Sequence, residues 1–302
     1  MDIQLINEDL KRALKSPAAT QAFFDIMNWA TFPAGKLFRP RLVLAMAQDC
    51  GGITTDHRHL ASAIELHHAY TLVHDDLPAM DNDLIRRGKP STHAQHGEWK
   101  AILAGDGLLI QSFNELAKIN SETLPTLLKL MTWTTGARGL IFGQYLDLEA
   151  TPKGFKDILR IHELKTARLI QLSLVGAHLL STSNFSKEYL RLGSSLGISF
   201  QLIDDLTDLS DAELSPHEKE INPFLKWPGE SFSYLLKNIL YIKHTLKENQ
   251  LKSLFQEVYL YLHTMTKMLE ENQKIILSHH SSKEFKLGFE QLLLDLTSGE
   301  KI

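Results

Sequence analysis

Cysteine is nearly absent from this 302-residue chain. Cys50 stands alone, which excludes an intrachain disulfide and leaves a cysteine-based zinc site without a second thiolate. That usage suits a reducing compartment, and the expected location is the cytoplasm. A basic excess is missing too. The net charge is −4, so the chain carries no electrostatic footprint for nucleic acid. A mildly acidic protein that binds an anion must gather cations locally, from Lys/Arg side chains or from metal. No uncharged apolar stretch approaches the roughly 18–20 residues that span a bilayer. The first segment, MDIQLINEDLKR, carries Asp2, Glu8 and Asp9 before any apolar run, unlike a signal or basic transit peptide. An apolar substrate would therefore enter a pocket, or reach one from the membrane surface. Strict two-residue alternation is also lacking, and glycine-rich hairpin turns are scarce, which argues against sheet.

What is present is helical periodicity. Segment 60–77 (LASAIELHHAYTLVHDDL) repeats apolar residues at three- and four-residue spacing, from Leu60, Ala63 and Ile64 to Tyr70 and Val73. Segments 158–180 and 189–209 read the same way, as does the chain from Phe232 to Leu296. Breaks are expected at 31–36, 50–56, 88–91, 121–125, 151–154, 214–228 and 278–282. With 43% hydrophobic and 23% charged residues and no low-complexity linker, the expectation is an all-α fold in one domain over 1–302.

Two acidic clusters each follow an apolar helix. In DDLTD, Asp204 and Asp208 are one turn apart, with Asp205 beside them. Like charges on one turn repel, and a divalent cation removes that cost. Carboxylate oxygens suit Mg²⁺, which usually keeps waters and takes one or two carboxylates plus phosphate oxygens. In HDDLPAMDND, Asp75 and Asp81 are six apart and would face apart on an unbroken helix. Pro78 disfavours such a helix, so the chain is expected to unwind after Asp76 and return Asp81 beside Asp75. A solvated helix end explains either cluster alone about as well. Two of them, each on an apolar face, call for a partner.

Cations and hydrogen-bonding groups flank the clusters. GKLFRP carries Lys36 and Arg39, and Arg86-Arg87-Gly88 follows the first cluster. Lys165-Thr166 lies in the 158–180 segment, and GQYLDL carries Gln144 and Asp147. Arg grips diphosphate through its fork and Lys as a point charge. Taken singly, each has a plainer explanation, such as a solvated loop for Arg86-Arg87 or a snorkelling side chain for Lys165.

In this order, GKxxRP, HDDLPAMD…RRG, GQxLDL, KT and FQxxDDxxD resemble bacterial farnesyl diphosphate synthases of the class I trans-isoprenyl diphosphate synthase family. The resemblance runs from Lys36 to Asp208, with motif-bearing residues within 30–210 and a weaker helical continuation. It implies a single isoprenoid-synthase-type helical bundle around a central cavity, usually a homodimer. It also implies that Asp75, Asp76, Asp81, Asp204, Asp205 and Asp208 bind three Mg²⁺ on an allylic diphosphate, with Mn²⁺ as an alternative. Lys165 with Asp75, Asp76, Asp81, Asp204 and Asp205 forms the implied catalytic set. Arg86, Lys165, Thr166 and Gln201 match positions on the allylic substrate, and Gln144 is a further implied substrate-binding residue. Lys36, Arg39, His68 and Arg87 match positions that grip isopentenyl diphosphate. The implied reaction condenses isopentenyl diphosphate with dimethylallyl or geranyl diphosphate. His67 and His74 then read as packing or supporting groups. The resemblance makes Tyr70, five residues before Asp75, the bulky residue that ends chain growth, at C15 or C10; ordinary core packing also accounts for it.

The chain departs from the family after Asp208. LSDAELSPHEKEINPFLKWPG is shorter than the usual Gly- and Lys-bearing loop, and Asn222-Pro223-Phe224 stands where a Thr-Tyr-Pro segment belongs. The tail LTSGEKI lacks the usual basic end. The divergent part is the lid together with the C-terminal helices (211–302), and an active enzyme with a rearranged lid and a slower or non-catalytic paralogue both fit those changes. A terpene cyclase is the other alternative, and the second diphosphate-binding set argues against it.

Overall fold

The computed structural model describes residues 3–15, 20–149, 152–211, 213–214 and 216–297, with backbone alone at 216–218 and 297. The expected break at 151 and the tail 298–302 lie outside those residues. The chain forms two compact units, one of residues 1–131 with 172–186, the other of 132–171 with 187–302.

The first unit begins with α1 (Ile3–Leu14), α2 (Gln21–Thr31) and α3 (Phe38–Asp49), and α4 (Thr55–Asp75) is its axis. Leu60, Ala63, Ile64, Leu66 and Ala69 of α4 are almost wholly buried, so its apolar residues cover most of the circumference, as in a central helix. Its start is fixed by His57. The Thr54 N–H donates to His57 Nδ1 (3.1 Å), while His57 Nε2 lies 3.2 Å from the Ala177 carbonyl and 3.0 Å from Ser181 Oγ. After α4 comes a small hairpin, β1 (Ile85–Arg86) and β2 (Lys89–Pro90), paired Ile85 to Pro90 and Arg86 to Lys89. Sequence periodicity predicts no strand here, and two-residue strands are too short to show one. The turn residues Arg87 (φ 53°) and Gly88 (φ 74°) are both left-handed, the conformation that suits a tight hairpin. The segments α5 (Thr92–His96), α6 (Glu98–Ala117) and most of α7 (Leu124–Thr135) follow, and residues 172–186 complete this unit.

The second unit holds α8 (Leu140–Glu149), α9 (Phe155–His162), a π-turn (Glu163–Ala167) and the start of α10 (Arg168–Thr182). The periodicity predicts an unbroken helix over 158–180. The structure inserts one wide turn, and it holds Lys165 and Thr166. Gly143 and Gly197 let neighbouring helices press against that turn. A Cβ on Gly143 would stand 2.4 Å from Lys165 N, and one on Gly197 would stand 2.3 Å from Ala167 Cα. Next is α11 (Lys187–Asp208). The segment expected as a loop over 214–228 instead holds α12 (Pro216–Ile221) and α13 (Pro223–Lys226), with α14 (Pro228–Glu248) starting at its end. Asn222-Pro223 explains the second of these, as a capping side chain followed by proline at the first helical position. The unit closes with α15 (Lys252–Glu271), α16 (Gln273–Ser278) and α17 (Lys283–Thr297), around buried Phe224, Phe232, Phe285 and Phe289.

Candidate active site

In the first unit, α4 ends at Asp75, and Pro78 ends the helical path as its lack of an N–H predicts. The chain turns back so that the Asp81 N–H donates to the Asp75 carbonyl (2.9 Å). Both cluster ends therefore meet at the tip of α4. Asp76 differs from its neighbours. Its side chain is buried and bonded by Arg86 through Nε (2.9 Å) and Nη2 (2.6 Å), and the same guanidinium reaches Asp83 (2.5 Å). Burial raises the Asp76 carboxyl above its usual range, and Arg86 offsets part of that rise.

The hairpin turn sends Arg87 the other way. Its Nη1 donates to the carbonyls of Thr31 (3.0 Å) and Pro33 (3.1 Å), and its Nη2 lies 3.8 Å from Glu65 Oε1. Arg39, in the first turn of α3, places Nη1 3.2 Å from His68 Nε2. Burial, then the charges of Arg39 and Arg87, hold the His68 imidazole well below its usual range, so it is neutral at pH 7. Lys36 is exposed on the loop before α3. Arg39, His68, Arg86 and Arg87 are thus gathered around one end of the unit.

Sequence reasoning missed Glu65. It is buried beneath this group, and burial pushes its carboxyl up to about 7 against the lowering pull of Arg87 and Arg39. A lone Glu on an apolar helix face gives no signal in sequence except that it is costly without a partner. Tyr70 is buried, with its ring edge-on to His67 (4.7 Å) and His74 (5.4 Å). Burial and then Asp75 push its phenol up to about 12, so it stays neutral.

In the second unit, the π-turn aims Lys165 at Asp147 of α8 (Nζ to Oδ2, 2.5 Å). Thr166 donates to Gln201 Oε1 (2.9 Å), and Gln201 Nε2 donates to Asp205 Oδ1 (3.0 Å). His162 Nε2 stands 3.3 Å from Asp205 Oδ2 but outside hydrogen-bond alignment, and that oxygen is buried without a hydrogen-bond partner. Burial, then the charges of Asp208, Asp204 and Asp147, hold the Asp205 carboxyl well above its usual range. A small cleft opens here, lined by Asp147, His162, Asp205, Asp208 and Asn222 among others. Gln144 is 7% exposed, and both polar atoms of its side chain are buried without partners. His162 and Asn222 were not legible as site residues in the sequence.

Among the described residues, no three His, Cys, Asp or Glu side chains converge as a closed metal cage. Mg²⁺ does not require one, because waters and phosphate oxygens complete its shell. The donor set fits the ion. It is all oxygen, and the repulsion from Asp208, Asp204 and Asp147, which adds to burial in raising Asp205, is a cost a divalent cation removes. No helix among the described residues is long and apolar enough to cross a membrane.

The chain is similar to several known proteins. The farnesyl diphosphate synthase of Micrococcus luteus is 37% identical over 213 residues, covering 68% of this chain and 72% of that protein. That of Buchnera aphidicola subsp. Schizaphis graminum is 32% identical over 295 residues, covering 93% and 96%. Among solved structures, an isoprenoid synthase family member from Thermotoga neapolitana superposes with a TM-score of 0.75 at 27% identity, over 84% of this chain and 96% of that one. The family model described as polyprenyl synthetase matches residues 20–220, and the chain belongs to that family.

Proposed function

We propose that the protein is a short-chain prenyltransferase, joining isopentenyl diphosphate head-to-tail to dimethylallyl or geranyl diphosphate to give farnesyl or geranyl diphosphate. The farnesyl diphosphate synthases to which it is similar support this activity. One observation carries the reading. The Ile85–Pro90 hairpin splits two adjacent arginines, sending Arg86 to Asp76 of the first aspartate cluster and Arg87 to the Thr31 and Pro33 carbonyls and Glu65, where its charge, with that of Arg39, also acts on His68. One short turn thereby supplies two cationic stations, as a reaction with two diphosphates requires. A cyclase needs only one.

In this reading, Asp75, Asp76, Asp81, Asp204, Asp205 and Asp208 hold three Mg²⁺, or Mn²⁺, on the allylic diphosphate. When bound, the metal supplies Lewis-acid stabilisation of the departing pyrophosphate. Arg86, Gln144, Lys165, Thr166 and Gln201 orient the allylic diphosphate, with Lys165 adding positive charge where the leaving oxygen becomes anionic. Lys36, Arg39, His68 and Arg87 hold isopentenyl diphosphate. Neutral His68 serves as a hydrogen-bond donor there, because its suppressed basicity leaves the arginines to carry the charge. The allylic C–O bond breaks, the isopentenyl double bond attacks the carbocation, and the released pyrophosphate takes the proton lost from the product. Buried Tyr70 sets the floor of the apolar cavity and limits the chain to C15 or C10.

Both units serve one polyprenyl synthase domain, a reading supported by a family match that runs through both. A homodimer is supported by α6. Trp99, Ile102, Leu103 and Ile110 lie on one helical face, with Trp99 65% and Ile110 67% exposed. The cytoplasm remains the proposed location.

The test is direct. Purified protein is incubated with Mg²⁺, labelled isopentenyl diphosphate and either dimethylallyl or geranyl diphosphate, and product length is measured. Labelled C15 or C10 diphosphate is expected, and absence of condensation with both acceptors rejects the proposal.

A further inference from the structure

In the segment after Asp208, one side chain spans two elements. Asn222 is 4% exposed. Its Nδ2 donates to the main-chain carbonyl of Asp205 (2.6 Å), and its Oδ1 accepts the Phe224 N–H (3.0 Å), capping α13. The strap it belongs to is rooted in the core. Ser231 Oγ donates to the carbonyls of Pro223 (3.0 Å) and Trp227 (2.8 Å). Phe224 is fully buried, with its ring 4.8 Å from that of Phe232, which in turn meets Phe285 of α17 at 5.4 Å. The Asp205 carbonyl is one of the last four of α11, which the helical ladder leaves to outside donors. The same turn bears Asp204, Asp205 and Asp208, whose like charges push it apart.

We propose that Asn222 is a positioning residue for the second aspartate cluster. Through the Asp205 carbonyl it fixes the last turn of α11 to the C-terminal core, so that the carboxylates are held at metal-binding spacing from behind. This rests on the reading that the cluster binds Mg²⁺ with a diphosphate. Groups that support metal ligands typically change metal affinity 10–100-fold when removed.

Two variants separate this role from helix capping. Asn222→Ser keeps a capping oxygen but loses the amide donor, and Asn222→Ala loses both. Mg²⁺ binding to the full-length protein is measured by calorimetry in the presence of inorganic pyrophosphate, with thermal melting alongside. Both variants should bind Mg²⁺ about 10-fold more weakly, while Asn222→Ala alone shows the larger loss of melting temperature. KM for isopentenyl diphosphate should stay at the wild-type value. Wild-type Mg²⁺ affinity in Asn222→Ser overturns the positioning role and leaves Asn222 as a cap. If wild-type protein takes up no Mg²⁺ with pyrophosphate, the functional reading fails and this inference fails with it. Hydrogen exchange on unmodified protein decides the matter should either variant fold poorly. Mg²⁺ and pyrophosphate should slow exchange at Phe224–Trp227 together with 204–208, and protection confined to 204–208 rejects the coupling.

Discussion

At the residue scale, the site rests on charges held in unequal surroundings. Asp75→Ala or Asp204→Ala should lower kcat by at least about 10²–10³-fold, the scale of removing one preorganised electrostatic contact. The helical circular dichroism should be unchanged, and its loss would point to a structural role instead. Glu65 gives a pH signature. Its folded pKa, about 7, lies above the ordinary carboxylate value near 4.5. The folded state therefore holds the proton between those pH values, and its stability falls as pH rises from about 4.5 to 7. The effect is on the order of a few kcal/mol. Glu65→Gln should flatten that slope in urea unfolding at pH 5 and pH 7, and an unaltered slope would assign it to another group. His67 works oppositely. Burial lowers it to about 3, so its contribution is lost as pH falls below 6.5. The aspartates were legible because carboxylates repeat at helix ends. Glu65 and His162 were not, because a titratable residue inside an apolar face reads as core until its neighbours from distant segments are known.

At the scale of elements, the Pro78 break was readable and the π-turn was not. Proline removes a donor, whereas a wide turn carries no required residue type. The same limit hid the strands at Ile85–Pro90, which arise from one left-handed Arg-Gly turn. Gly197 gives the element-scale test. A methyl group there would meet Ala167 Cα at 2.3 Å. Gly197→Ala should cost about 1–3 kcal/mol by overpacking and displace Lys165 and Thr166. Melting temperature and kcat should fall together, and unchanged kcat with lowered melting would detach the turn from catalysis. Tyr70→Ala should lengthen the product beyond C15, and a fixed chain length would remove Tyr70 as the cavity floor.

At the scale of the molecule, α6 makes a prediction about assembly. Ile110→Glu puts a charge on the exposed apolar face of α6. Light scattering should report a dimer for the wild type and a monomer for the variant; equal masses would move the interface elsewhere. The all-α class was readable throughout, since periodicity is a property of every helix. The division into two units was not, because it depends on which distant segments meet. The first unit is discontinuous in sequence, borrowing residues 172–186 from beyond a stretch of the second. His57, which fixes the start of α4, finds its carbonyl partner at Ala177 in that borrowed segment. During synthesis, the contact between His57 and Ala177 therefore waits for 120 further residues to leave the ribosome, by which time residues 132–171 of the other unit are already made. A nascent chain stopped short of Ala177 carries Asp75, Asp76 and Asp81 at the tip of α4 but lacks the tie at its other end.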